Sequence, residues 1–581
     1  MLRRHPDTQR DLIVLQITGH LFFICLALVS LFYWRERQAF DAAHYLFELI
    51  DRKWFFIAHG RPLGVVSQVL PLVGIWLGVP LKAVAILYSI GDILWYYLIF
   101  LFLGYGLQTR QGIIILLLLL SVTVRFSFFC PVTELLQGLA LIPVWIALLN
   151  KSFRFRFPVL IFVLALIIFS HPLLFIPAAF SFAWWGIKPA DYGKLKKIIW
   201  PSFAVLLLLK MLLLDSYDHD KTFYPVVYDD YGYIKTMWDP GYILSFLKML
   251  GFSYPLLTIL FLTSLFIFTL RKEYKKGLLL FAGVSGFLVI IIATHRFTEI
   301  TNYSERMLLP LAYMISVAAA GTIILGKDFL PKLLAYVGFV LILLLHFDML
   351  RVTAQPYTFR TKQLAAITSS ARKMNIRKGI VNEDKLEQNS FAMSGWSYPL
   401  ETLLFSAYED PDSCVTIALV KEHIDRIKEQ GNSVEPDEWI KWTEIILPVN
   451  TLNQQYFRLP NAPYSPITGK SITSSSLVSL SISSVLPLKT SSTVVEVTVS
   501  MTDGRCIPVS DDVNLQLKFE SGEIYRQSPA YDLCGTTFFW LELPRKSLIE
   551  KSTVSLFLTQ QNKVLGAKEY IWTGNAFQEE K

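Results

Sequence analysis

Residues 112–149 read GIIILLLLLSVTVRFSFFCPVTELLQGLALIPVWIALL. The stretch holds two apolar runs, 112–129 and 131–149, that meet at Cys130 and Pro131. Each approaches the roughly 20 residues a helix needs to cross the hydrocarbon of a bilayer. Inside lipid the backbone must satisfy its own hydrogen bonds, so such runs are predicted to be helical. Arg110 precedes the pair, and Lys151, Arg154 and Arg156 follow it, while the junction at 130–131 carries no Lys or Arg. Cytoplasmic loops are enriched in Lys and Arg, so the flanks are expected inside and the junction outside.

The pattern extends in both directions. Further apolar runs lie at 12–33, 82–106, 157–171, 172–187, 197–214, 253–270, 277–294, 306–325 and 332–349. A run at 63–79 is broken by Pro71, Gly74 and Gly78 and closed by Pro80. Basic residues gather at Arg3, Arg4 and Arg10, at Lys188, Lys194, Lys196 and Lys197, at Arg271, Lys272, Lys275 and Lys276, and at Lys327 and Lys332. All share one side only if the chain crosses once between Arg61 and Arg110, which puts 63–79 in the outer interface or in a re-entrant segment. The expectation is therefore about 11 transmembrane helices, with the N-terminus cytoplasmic and the C-terminal region external. Run 12–33 lacks a small-residue cleavage site before Trp34 and reads as an uncleaved signal-anchor.

Composition agrees. The chain of 581 residues is 53% hydrophobic and 17% charged, against about 25% charged for a soluble domain. The net charge of +8 sits in short loops between apolar runs, which points to lipid headgroups and away from nucleic acid. The five cysteines have no metal-ligand spacing, and Cys506 and Cys534 are a candidate pair in an oxidising compartment.

Past residue 350 the sequence is ordinary. Residues 359–374 have helical spacing, CVTIALV (414–420) reads as a strand, and KEHIDRIKEQ (421–430) as a helix. From 464 on, SLVSLSI, TVVEVTVSM, NLQLKFE, TTFFWLEL and STVSLFL are short alternating runs divided by turn residues, the pattern of a β-sandwich. The predicted organisation is an α-helical polytopic membrane domain (1–350), an external α/β region (351–463) and an external β-sandwich-like domain (464–581).

Ionisable residues cluster toward the predicted outer face, where each costs free energy and so asks for a role. Asp41 follows the first span in WRERQAFDAAHYLFELI. A carboxylate there is placed to accept a proton from an attacking hydroxyl, and the competing reading is the N-cap of a short helix. Glu134 opens the 131–149 run and reads either as a site residue or as a partner for Arg125. His171, at an outer corner before Pro172, reads as a cavity residue or a corner hydrogen bond. Glu305 and Arg306 open the 306–325 run, where Arg306 suits bidentate phosphate binding or snorkels to the interface. Arg61 closes the first long outer loop, 34–61. The second, 215–252, interleaves aromatics with Asp229 and Asp230 in a way that suits sugar rings or an interfacial aromatic belt.

This layout resembles the GT-C superfamily of membrane glycosyltransferases, which includes lipid A aminoarabinose transferases and protein O-mannosyltransferases. The likeness covers about residues 1–350: one span, a large outer loop with an early acid (Asp41), the interfacial stretch RPLGVVSQVLPLVGIWLGVP, a second span, and a late helix start with Arg306 and Pro310. The resemblance implies a polyprenyl-phosphate sugar donor, Asp41 as the base and Arg306 as a phosphate ligand. It implies Glu134, His171 and Arg61 on the cavity wall, and a glycan, lipid or protein acceptor. A pair of adjacent acids, frequent in that family, is reduced here to Asp41 alone. Nothing in the sequence indicates the divalent metal such an enzyme can use. Two other readings are a multi-pass transporter or flippase of a lipid-linked substrate, and a non-catalytic protein presenting a glycan-binding β-domain. A bacterial inner membrane and the endoplasmic reticulum both satisfy the topology, and the scarcity of sequons favours the former.

Overall fold

The computed structural model describes residues 6–186, 192–213, 239–294, 302–324, 332–383, 386, 395–467 and the strands from 478 onward. Contacts divide the chain into two units, Met1–Leu350 and Arg351–Lys581.

The first unit is helical. Its elements are α1 (Pro6–Phe32), α2 (Asp41–Arg52), α3 (Val69–Trp76), α4 (Leu81–Leu101), α5 (Arg110–Val122), α6 (Glu134–Leu149), α7 (Arg156–Ser170), α8 (Phe175–Gly186), α9 (Tyr192–Leu212), α10 (Pro240–Ser253), α11 (Pro255–Leu270), α12 (Tyr274–Thr294) and α13 (Asn302–Ala319). The start of α14 (Lys332–Lys373) follows. Among the described residues, four helical stretches are long and apolar enough to cross a membrane: Gln9–Phe32, Leu81–Gly106, Tyr274–Ile292 and Leu333–Lys373. Six shorter apolar helices accompany them. A helix occupies every apolar run named above, but eleven helices of full spanning length are not seen. Run 112–129, for instance, is α-helical only as far as Val122, the end of the 13-residue α5, and the chain turns at 125–129.

The expected loop 215–252 ends in a helix instead. Asp239 accepts the Gly241 N–H at 2.9 Å and Pro240 takes the first turn, so the start of α10 is capped by its own sequence. In the loop at 34–61, α2 is strongly amphipathic, with Tyr45, Leu46, Phe47, Leu49 and Ile50 buried.

Two residues just past α1 fix that loop. Arg37 is fully buried and donates to the carbonyls of Phe128 and Ser89 and, at 3.2 Å, to Asp92 Oδ2. Gln38 Nε2 donates to Ala85 O at 3.2 Å. Ser30 and Ser89 exchange hydroxyl-to-carbonyl bonds of 3.0 Å, which stitch α1 to α4. Gly91 on α4 lies against the 3-10 helix Pro62–Gln68; a Cβ there would sit 2.7 Å from Ser67 O. Only glycine permits that approach.

The second unit begins with the end of α14 and a parallel sheet, β1 (Lys378–Val381), β2 (Thr416–Leu419) and β5 (Ser465–Pro466), in the order β2-β1-β5. α15 (Tyr398–Ala407) crosses between β1 and β2. Leu364, Ile367, Val381, Ile417 and Ile467 share the core. β5 pairs with β1 and Ile467 packs in this core, and β3 (Glu438–Trp442) and β4 (Ile445–Pro448) form a separate antiparallel pair. Arg360 and Glu401 form a buried bidentate pair, at 2.6 and 3.0 Å, between α14 and α15. Segment 421–430, expected as one α-helix, opens within a π-helix (Val420–Asp425) and continues as α16 (Arg426–Glu429).

The strands beyond form two antiparallel sheets. β9 (Val513–Phe519), β10 (Ile524–Gln527), β13 (Thr553–Gln560), β14 (Lys563–Trp572) and β15 (Phe577–Glu579) run in the order β10-β9-β13-β14-β15. β6 (Val478–Lys489), β7 (Ser492–Met501) and β12 (Thr536–Pro544) run in the order β12-β7-β6. The sheets approach each other where β14 lies near β6 and β10 near β12. Between β8 (Cys506–Ile507) and β11 (Leu533–Cys534) the register sets Cys506 opposite Cys534.

Candidate functional site

The site is assembled from six separated segments of the first unit. α2 supplies Asp41 in its first turn, and Phe40 before it adopts φ 54°, ψ −122°. A left-handed φ at a phenylalanine costs about 1–3 kcal/mol, a strain that concentrates at functional sites. Phe40, not Asp41, holds the cap position, and no side chain caps the helix. The Asp41 carboxylate is engaged elsewhere: Arg306 Nη1, from α13, lies 3.1 Å from Asp41 Oδ2.

Arg306 Nη2 donates to Cys130 Sγ at 2.8 Å. Its Nε–H has no hydrogen-bond partner among the described residues. Arg306 therefore bridges the acid of the first loop to the junction quoted at the outset, with one donor in reserve.

A second pair stands beside the first. Tyr45, one helical turn after Asp41 and hence on the same face, donates to Glu134 Oε1 at 2.9 Å. Arg61 Nη1 lies 3.6 Å from Glu134 Oε2. Glu134 thus pairs with Arg61, and the alternative partner Arg125 instead donates to Ser253 O at 3.0 Å and covers the Tyr254 ring. Electrostatic interactions tie Tyr45, Glu134, Asp41 and Arg306 into one group.

His171 completes the wall. Its Nδ1 accepts the Leu173 N–H at 3.2 Å, the corner bond weighed above, so any ring proton of the neutral side chain is on Nε2. The charged groups acting on it among the described residues include Arg61, Arg306 and Lys210. Side-chain exposure separates the members: Asp41 is 42% exposed, Arg306 19%, Arg61 11% and Glu134 5%. Asp41 is the most exposed of the four.

No family model, curated protein or solved structure matches this chain.

The geometry is therefore all that bears on function. Asp41, Arg61, Glu134, His171 and Arg306 come together. Glu305 does not join them: it is fully buried, and its carboxylate accepts the N–H groups of Arg125, Phe126 and Ser127 at 2.7–3.0 Å and the Tyr254 hydroxyl at 3.1 Å. It pins the 125–129 turn, and with its oxygens so occupied it is not a ligand group. Asp229 and Asp230 lie outside the described residues. Among the described residues, no group of three or more His, Cys, Asp or Glu side chains could hold a metal ion.

Tyr45, His59, Cys130 and Lys210 are members that the sequence reading does not single out. Lys210 had a signal: a lysine inside LLLLKMLLL is an intramembrane charge and a functional candidate on that ground alone. Tyr45 had the spacing of four from Asp41. Cys130 had none.

Proposed function

We propose that the first unit is a membrane glycosyltransferase site that takes a sugar from a polyprenyl-phosphate-linked donor on the outer face. The observation that carries the reading is the Asp41–Arg306 pair, with Arg61 and Lys210 in the same neighbourhood. A phosphate competes with Asp41 for the guanidinium fork, because planar bidentate donors suit phosphate as well as carboxylate. When the donor's phosphate takes Arg306, Asp41 is released as a free carboxylate within reach of the anomeric carbon's acceptor.

Asp41 then removes the proton from an acceptor hydroxyl, on a glycan, lipid or protein, as that oxygen attacks the anomeric carbon. The bond to the phosphate oxygen breaks, and the negative charge gathering on the leaving phosphate is met by Arg306, with Arg61 and Lys210 nearby. Glu134 holds Arg61 and Tyr45 in place. His171 stands beside the same cations.

The reading keeps the eleven-crossing path, in which shorter apolar helices such as α5 also cross, the N-terminus is cytoplasmic, and the 351–581 unit is external. A bacterial inner membrane is the membrane we favour.

The test uses the full chain in vesicles with a polyprenyl-phosphate-linked sugar and a membrane extract as acceptor source. Asp41→Asn should bind the donor yet lose transfer by about 10²–10⁴-fold, the usual worth of a general base. Transfer at the wild-type rate by a folded Asp41→Asn protein contradicts the assignment. Counterflow of intact donor with no product points to a flippase instead.

A further inference from the structure

A small cavity whose lining includes neither Asp41 nor Arg306 is formed by Leu26, Leu120, Leu136 and other apolar groups, and by four polar residues: Asp92, Tyr96, Ser127 and His346. Each of those four presents a buried polar atom with no hydrogen-bond partner within 3.5 Å among the described residues: Asp92 Oδ1, Tyr96 OH, Ser127 Oγ and His346 Nδ1. Asp92 and Tyr96 nevertheless face each other, and His346 faces the Ser121 backbone, closely enough to interact. All four side chains belong to residues at least nine-tenths buried.

A buried polar atom left unmatched costs about 1–3 kcal/mol. Four of them on one cavity is therefore a large penalty unless a guest meets them together. The cavity has room for about one water molecule, and a buried water makes roughly three hydrogen bonds to such groups. Charge decides among small guests. Arg37 Nη2 already neutralises Asp92 through Oδ2, 3.2 Å away, so a cation meets a compensated carboxylate and an anion meets Asp92. A neutral dipolar guest meets neither objection. It can donate to Asp92 Oδ1 and exchange bonds with the two hydroxyls and with the imidazole.

We propose that this cavity is a built hydration site that holds one ordered water bridging Asp92 and Tyr96 on α4, Ser127 on the turn and His346 on α14. The water links the helix that anchors Arg37 to the turn that Glu305 pins. The inference does not depend on sugar transfer.

Radiolytic labelling of the full chain in lipid nanodiscs with ¹⁸O-water tests it, because hydroxyl radicals formed at a bound water label the side chains beside it. Tyr313 is the internal control: it is fully buried and its hydroxyl already accepts a bond from Ser181 at 3.0 Å. Tyr96 should label several-fold more than Tyr313. Ser127→Leu, which fills the cavity, should bring Tyr96 down to the Tyr313 level in protein that keeps its wild-type elution profile. A Tyr96 yield no greater than that of Tyr313 in the wild type overturns the proposal, as does full Tyr96 labelling in folded Ser127→Leu.

Discussion

Arg306 Nη1 sits 3.1 Å from Asp41 Oδ2 across 265 residues of sequence, and the same guanidinium donates to Cys130. The contact ties the first long loop to the start of a late helix. It also sets the electrostatic logic of the site, since each partner limits what the other can do until a third group intervenes.

If that third group is a phosphate, Arg306→Lys should weaken polyprenyl-phosphate binding by at least about tenfold, because an ammonium cannot replace a planar fork that bonds two groups at once. Asp41→Asn should tighten binding by removing the competitor. Equilibrium binding to the purified full chain reads both, and equal affinity in Arg306→Lys and wild type counts against the assignment.

Gly91→Ala should destabilise the first unit by about 1–3 kcal/mol, since the added Cβ meets the Ser67 carbonyl, a backbone atom that cannot rotate away. Gly338→Ala, where nothing lies within 4 Å, is the matched control and should be neutral or slightly stabilising. Thermal midpoints in detergent compare them. Equal midpoints would show that the 62–68 turn does not rest on α4 as described.

The helices of the first unit were legible because apolarity is written in order along the chain. Asp41, Arg61, Glu134, His171 and Arg306 all stand at or near the ends of apolar runs, where a charge is visible against its neighbours. Which carboxylate meets which guanidinium is a different kind of information. Glu134 and Glu305 both open helices, yet one joins Arg61 and Tyr45 while the other caps a turn through three backbone N–H groups. That choice is made by packing between helices far apart in sequence. Likewise α10 was hidden, because a 14-residue helix opening with Asp239 and Pro240 looks like the edge of a loop when only spanning lengths are sought.

In the second unit, burial lowers the His423 imidazole to about 4. Its Nδ1 accepts the Leu419 N–H at 3.1 Å, a bond only the neutral ring can make. An unfolded histidine titrates near about 6.5, so between these values the unfolded chain binds more protons and stability rises with pH. The contribution is complete above about 6.5 and is lost as pH falls toward about 4, by at most about 3 kcal/mol. His423→Gln should flatten this part of the acid slope in unfolding midpoints of the full chain between pH 7 and pH 4. An unchanged slope would mean the ring is not neutral in the fold.

Cys506 and Cys534 are opposed in an antiparallel ladder. Opposed residues there have Cα atoms about 4.5–5.5 Å apart, inside the range a disulfide spans. With the 351–581 unit external, two of the five cysteines should resist alkylation in denaturant until a reductant is added. Immediate alkylation of all five would argue for a reducing compartment and against the proposed orientation.

The most direct test is a structure of the full chain with a polyprenyl phosphate bound. The account predicts phosphate oxygens within hydrogen-bond distance of Arg306, with the Asp41 carboxylate moved off the guanidinium and facing the lipid headgroup. A phosphate bound elsewhere, with the Arg306–Asp41 contact intact at 3.1 Å, would contradict it.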